Sequence, residues 1–140
     1  MSCPYFDPVQ PRGGFDNPRF AMLPLGDCWS GICRALAGQP SQPDEAFLQS
    51  CCNLGYARGT CARFPDRHGP DAVRFTVLGD DGASLRLYYV LECGHRPFAH
   101  GPLEYFLATG QLTPTPLSEL TERQLRAYVR SYIRRKSGAL

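Results

Sequence analysis

From Asp71 the chain alternates with a period of two, and no other feature limits the fold as much. In AVRFTVL, Val73, Phe75 and Val77 alternate with Arg74 and Thr76, the pattern of a strand with one buried face. GDDG follows as a hairpin turn, with Asp80 and Asp81 as its turn residues, and ASLRLYYVLE returns as a second strand. Two strands do not make a stable sheet alone, so helices must cover one face. The expected fold is therefore α+β: a cysteine-rich irregular and helical N-terminal half, a β-hairpin or small antiparallel sheet, and a C-terminal helix. At 140 residues it reads as a single domain, 1–140, with a cysteine-rich half over 1–70, the hairpin over 71–93 and helices over 101–137.

The remaining elements follow from local signals. Residues 1 to 26 read as irregular, with prolines at 4, 8, 11, 18 and 24 and the pair Gly13-Gly14. DCWSGICRALAG predicts a first helix, capped by Asp27 and closed by Gly38, with Trp29, Ile32, Cys33 and Leu36 on one face. DEAFLQSCCN predicts a second, starting near Ser41 to Asp44 and ending by Gly55. HRPFAHGP reads as a loop, Pro102 as the first position of a short helix LEYFLAT, and Gly110 as its end. A final helix runs from about Ser118 to Lys136, with a capping box in Thr121 and Gln124.

The chain carries seven cysteines: Cys3, Cys28, Cys33, Cys51, Cys52, Cys61 and Cys93. Its start lacks a basic segment followed by an apolar run, and no stretch of about 18 apolar residues exists to span a membrane. The expected location is cytoplasmic, where disulfides are rare, and an odd count fits a closed disulfide set poorly. No C-x-x-C pair is present, which argues against a zinc ribbon or knuckle and against a ferredoxin-type run. A 4Fe–4S cluster can take its ligands from separate segments and staple an irregular N-terminus onto helices. Cys3 lies on a segment with little other reason to be ordered. Cys33 is on the inward stripe of the expected first helix, with Cys28 turned away from it. Cys52 ends the second helix, and the chain then loops to Cys61. The expected ligands are Cys3, Cys33, Cys52 and Cys61, with Cys51 as the alternative to Cys52. Arg58 and Arg63 are placed to offset the negative charge of a cluster, and Tyr5, Phe6, Trp29, Tyr56 and Phe64 to exclude water. Zinc is the alternative metal, and plain burial of thiols the alternative to both.

MLPLGDCWSGICRA, CNLGYARGTCARFP and GPDAVRF resemble segments of small uncharacterised bacterial proteins, which have a cysteine near the N-terminus and later cysteines in WSGxC and CNLGYxRGxC contexts. The resemblance covers roughly residues 1 to 105. It implies the same four cysteines, leaves Cys28, Cys51 and Cys93 as extras, and brings no activity with it.

Other patterns carry less chemistry. Cys93, His95 and His100 in ECGHRPFAH are a conceivable metal set with no recognised spacing, and Cys28 or Cys93 a conceivable thiol redox centre. There is no phosphate-binding glycine loop. On the last helix Leu125, Tyr128, Val129, Tyr132 and Ile133 form an apolar stripe, and Arg123, Arg126, Arg130 and Arg134 a basic one. With a net charge of only +2, the basic stripe reads first as a solvated face and second as a contact for nucleic acid or an acidic protein. The sequence thus predicts a small iron–sulfur protein rather than an enzyme. Its cluster would serve electron transfer, redox sensing or structural support, with a protein partner expected. The alternative is a zinc-stabilised or metal-free interaction or nucleic-acid-binding module.

Overall fold

A computed structural model describes residues 1–12, 23–36, 38–66, 68–114 and 117–137. Gly13-Gly14 and Pro18, part of the segment read as irregular, lie outside these residues. The fold is α+β. Its largest part is an antiparallel sheet of β3 (Ala72–Asp80), β4 (Ser84–Cys93), β5 (Arg96–Phe106) and β6 (Leu112–Thr113), in that order. The hairpin forms where the alternation predicts it. Phe75 pairs with Tyr89 and Val77 with Leu87. Asp80 accepts the Gly82 N–H at 2.9 Å, and Asp81 accepts the Ala83 and Ser84 N–H groups at 2.8 Å. Val73, Phe75, Leu85, Leu87 and Leu103 are buried.

Helix α2 (Glu119–Lys136) closes that core. Leu125 and Val129 are buried, and the Tyr128 ring packs 5.8 Å from that of Phe75. The helix begins one turn earlier than the expected capping box. Ser118 is the cap and its Oγ accepts the Thr121 N–H at 3.2 Å, so Thr121 lies inside the helix. The Gln124 amide is buried and donates elsewhere, to the carbonyls of Cys3 and Phe6 at 2.8 and 2.7 Å. Among the described residues no helix is long and apolar enough to cross a membrane.

The N-terminal half departs from its expected elements in two places. Phe6–Pro11 is not irregular but forms β1, and Trp29–Cys33 is not a helix but β2, paired antiparallel to it. The i, i+3, i+4 spacing of Trp29, Ile32 and Cys33 is overridden by pairing. Gly31 approaches β1 so closely that a Cβ would lie 2.0 Å from the Asp7 carbonyl oxygen. Asn53 satisfies the other edge of Trp29, accepting its N–H at 2.8 Å and donating to its carbonyl at 2.9 Å. Asp27 caps nothing; it is buried and bound by Ser131, Arg134 and Arg135 of α2.

The second helix does form, capped by Asp44, whose carboxylate accepts the Phe47 N–H at 3.1 Å. One turn, α1 (Glu45–Phe47), runs into a π-helical turn over Leu48–Cys52, closed by the Asn53 N–H donating to the Leu48 carbonyl at 3.1 Å. HRPFAHGP and LEYFLAT are neither loop nor helix: residues 96–106 are β5. Pro102 sits opposite Tyr88, and β6 covers only Glu104 and Tyr105. At Pro102 the strand is therefore an edge, where a missing N–H removes no ladder bond. Gly110, at φ 70°, does end the segment, in the turn to β6.

Candidate metal centre

Four separate segments bring thiols to one place. Cys3 is held by its backbone, with its N–H on the Cys52 carbonyl at 3.1 Å and its own carbonyl accepting from Phe6 and Gln124. Ser2 anchors the same stretch, exchanging two backbone bonds of 2.9 Å with Val73 and donating from Oγ to the Cys52 carbonyl. Cys33 ends β2, where its N–H and carbonyl both bond Ser41. Cys52 ends the π-helical turn. Cys61 lies in the following turn, its N–H on the Ala57 carbonyl at 2.7 Å. Gly55 permits that reversal at φ 101°, with the Ser50 carbonyl oxygen 2.6 Å from where a Cβ would stand.

Cys33, Cys52 and Cys61 line a cavity of about 110 Å³ together with Gln42, Pro43, Asp44, Phe47 and Arg63. Cys3 is not part of that lining but lies close by. It is close enough to feel the charges of Cys33, Cys51 and Cys61, and Cys52 feels those of Cys3, Cys33, Cys51 and Cys61. Cys3 and Cys52 are buried, and Cys33 and Cys61 half-buried. Burial pushes the Cys3 thiol up to about 12; the neighbouring thiols add to this, and a hydrogen bond from the Tyr5 N–H opposes it. Burial, then the same neighbours, pushes Cys52 up as well. Both are thus protonated at neutral pH when no cation is present.

The surroundings match the expected shield in part. Phe6 and Trp29 are buried, and Tyr5 meets Phe64 edge-on at 5.3 Å. Tyr56 serves a different place, stacked on His95 at 4.1 Å. Arg63 stands at the cavity wall, its guanidinium on Ser41 Oγ at 2.6 Å. Arg58 instead pairs with buried Asp71 and lies over the Phe64 ring.

The other thiols separate from this group to different degrees. Cys51 is buried beside it, with Ser50 Oγ 3.6 Å from its sulfur. Cys28 is buried in the field of Arg12, Glu45 and Asp27. Cys93, His95 and His100 do not converge: Cys93 lies by His68, His95 on Tyr56, and His100 bonds the Tyr88 hydroxyl at 2.6 Å. Among the described residues no three Cys, His, Asp or Glu stand close enough to hold one metal ion. Two sulfurs on one zinc can be at most about 4.6 Å apart, since each Zn–S bond is about 2.3 Å. A polynuclear cluster puts several metal atoms between its sulfurs and takes a wider set.

Three further residues shape the site. Asn53 ties β2 to the π-helical turn, Ser2 ties Cys52 to β3, and Gln124 ties Cys3 to α2. The sequence marks Gln124 only as a capping-box residue, a role it does not fill. The four arginines of the expected basic stripe are engaged within the molecule. Arg123 binds Asp7 at 2.7 Å, Arg126 the Gly110 carbonyl at 2.7 Å, Arg134 pairs with Asp27, and Arg130 lies over the Trp29 ring. Comparison with family models, with curated proteins and with solved structures finds no match to this chain.

Proposed function

We propose that this chain binds a 4Fe–4S cluster through Cys3, Cys33, Cys52 and Cys61, and that the cluster staples the N-terminal segment to the rest of the fold. The observation that carries the reading is that three thiols line one cavity and a fourth, Cys3, lies close by, all from separate backbone segments. Ordinary burial of cysteines as small apolar residues does not require that convergence. Cys52 is preferred to Cys51 because it shares the cavity wall with Cys33 and Cys61.

The cluster would supply redox chemistry or structural cross-linking. The chain's own part is to hold four sulfurs, release their protons and shield the site. Loading must expel the protons that burial keeps on Cys3 and Cys52, so it should strengthen with pH. Arg63 at the cavity wall offsets part of the negative charge of a thiolate-bound cluster.

Anaerobic reconstitution, a visible spectrum, and iron, sulfide and zinc analysis test this directly. The expected result is iron and sulfide in equal amounts, lost on replacing any of the four cysteines by serine and retained in Cys28→Ser, Cys51→Ser and Cys93→Ser. Full iron loading in Cys3→Ser would overturn the ligand set. Stoichiometric zinc without sulfide would replace the cluster by the zinc alternative.

A further inference from the structure

Away from the thiol-lined cavity, one cysteine has a base beside it. Cys93 is the last residue of β4, and its Sγ lies 3.9 Å from Nδ1 of His68. His68 comes from the connection between the Cys61 turn and β3. Its ring meets Phe98 edge-on, with centroids 6.0 Å apart. His68 is exposed and Cys93 half-buried, so a small reagent can reach the pair. Arg58 lies close enough for its charge to act on Cys93, though it is shared with Asp71, and Tyr56 is close enough to feel the Cys93 charge.

The backbone that carries the thiol is fixed from three sides. The Gly94 N–H donates to Asp71 Oδ2 at 2.7 Å, the His95 N–H donates to the Tyr56 hydroxyl at 3.0 Å, and the Cys93–Arg96 pairing closes the hairpin. His95 is held at φ 62°, a conformation that non-glycine residues rarely adopt. Stacking on Tyr56 and the bond to its hydroxyl hold it there. The sulfur is therefore presented by a rigid turn, next to an imidazole that the proposed cluster does not use.

We propose that Cys93 and His68 form a thiol–imidazole pair that exchanges with low-molecular-weight disulfides. His68 Nδ1 accepts the thiol proton, and the Cys93 thiolate attacks one sulfur of RS–SR. The S–S bond of the reagent breaks, a Cys93–S–S–R bond forms, and RS⁻ leaves with the proton returned by His68. Cys93 is oxidised, the departing half of the disulfide is reduced, and no further oxidant is needed. An imidazole at this distance tightens onto the thiol as the proton is shared, as is common for such pairs before reaction.

The test is anaerobic incubation of the purified, cluster-reconstituted chain with oxidised glutathione near neutral pH. Peptide-level mass spectrometry follows each cysteine over time. Cys93 should acquire the glutathione adduct about 10-fold faster than any other cysteine, because an imidazole stands beside it to take the thiol proton. His68→Ala should slow that step by about 10-fold, and added imidazole should restore part of the rate. His68→Gln keeps a polar side chain without a basic nitrogen and should be as slow as His68→Ala. A Cys93 rate no higher than that of Cys33 or Cys61 overturns the proposal, as does an unchanged rate in both His68 variants. The His68 comparison is read on Cys93 alone and does not depend on whether a cluster is bound; the comparison with Cys33 and Cys61 is made on the metal-free chain, where those thiols are free.

Discussion

The two halves of the molecule are held together in different ways. In the sheet half, β3, β4 and β5 bond backbone to backbone along nearly their whole lengths, interrupted only by single register shifts. In the thiol half β1 and β2 form a short ribbon, and the remaining joints are isolated bridges, Ser2 to Val73 and Cys33 to Ser41, with side chains bonded to main chain at Asn53 and Gln124. A ladder spreads its stability over many equivalent bonds. A set of single joints concentrates it, so the thiol half should fail at particular residues while the sheet half fails only by losing core volume.

The sharpest contrast should come from Asn53→Ala set against Phe75→Ala. Removing the Asn53 amide leaves the Trp29 N–H and carbonyl without their buried partner and the Leu48 carbonyl with only the Asn53 backbone N–H. The expected loss is about 3–5 kcal/mol by denaturant unfolding, together with failure to load iron. Phe75→Ala should cost a similar ~3–5 kcal/mol through a cavity, yet leave loading intact under conditions where the variant is folded. Equal loading in both variants would erase the contrast.

Alkaline pH should weaken the metal-free thiol half. The folded-state value of Cys3 is raised to about 12, and that of Cys52 is raised too. The protonated thiols therefore favour the fold fully below about pH 9 and lose that effect as pH climbs toward 12. For Cys3 alone the loss by pH 11 is about 2–3 kcal/mol. In the loaded protein the thiols are already deprotonated, and unfolding followed by circular dichroism should show little of this slope. A metal-free protein as stable at pH 11 as at pH 8 would contradict it.

Gln124→Ala should cost about 2 kcal/mol and speed alkylation of Cys3 in the metal-free chain, since two carbonyls of the Cys3–Phe6 segment lose their donor. Its effect belongs to both halves, so a loss confined to the sheet would mean that the segment is anchored by Ser2 alone. The smallest effect is expected at Arg126, where Arg126→Gln removes a half-exposed ion pair and one carbonyl bond, for under about 1 kcal/mol. Because the arginines of α2 are engaged internally, binding to short DNA, read by fluorescence anisotropy, should be no tighter than ~10 μM at physiological salt.

What could be read from the sequence follows the same division. Val73, Phe75 and Val77 announced a strand because a ladder imposes its period on many residues, and the Glu119–Lys136 stripe announced α2 by the same logic. Trp29, Ile32 and Cys33 matched helical spacing as well as any true helix. Their strand state depends on Gly31 meeting Asp7 and on Asn53, neither of which is visible in a local window. LEYFLAT was misread because Pro102 suits a helix start and an edge strand equally. Segment layout points to the four cysteines; three of them, Cys33, Cys52 and Cys61, share one cavity wall, and Cys33 does so from a strand where helical spacing predicts a helix.

The bond from Gln124 to the Cys3 carbonyl joins residues 121 apart in sequence. During synthesis Cys3 leaves the ribosome first, and Gln124 follows roughly 6–24 s later at 5–20 residues per second. Until then the Cys3–Phe6 carbonyls have no amide to bind, and β1 has no helix behind it. The anchoring of Cys3 is therefore a late product of translation, complete only once Gln124 of α2 has been made.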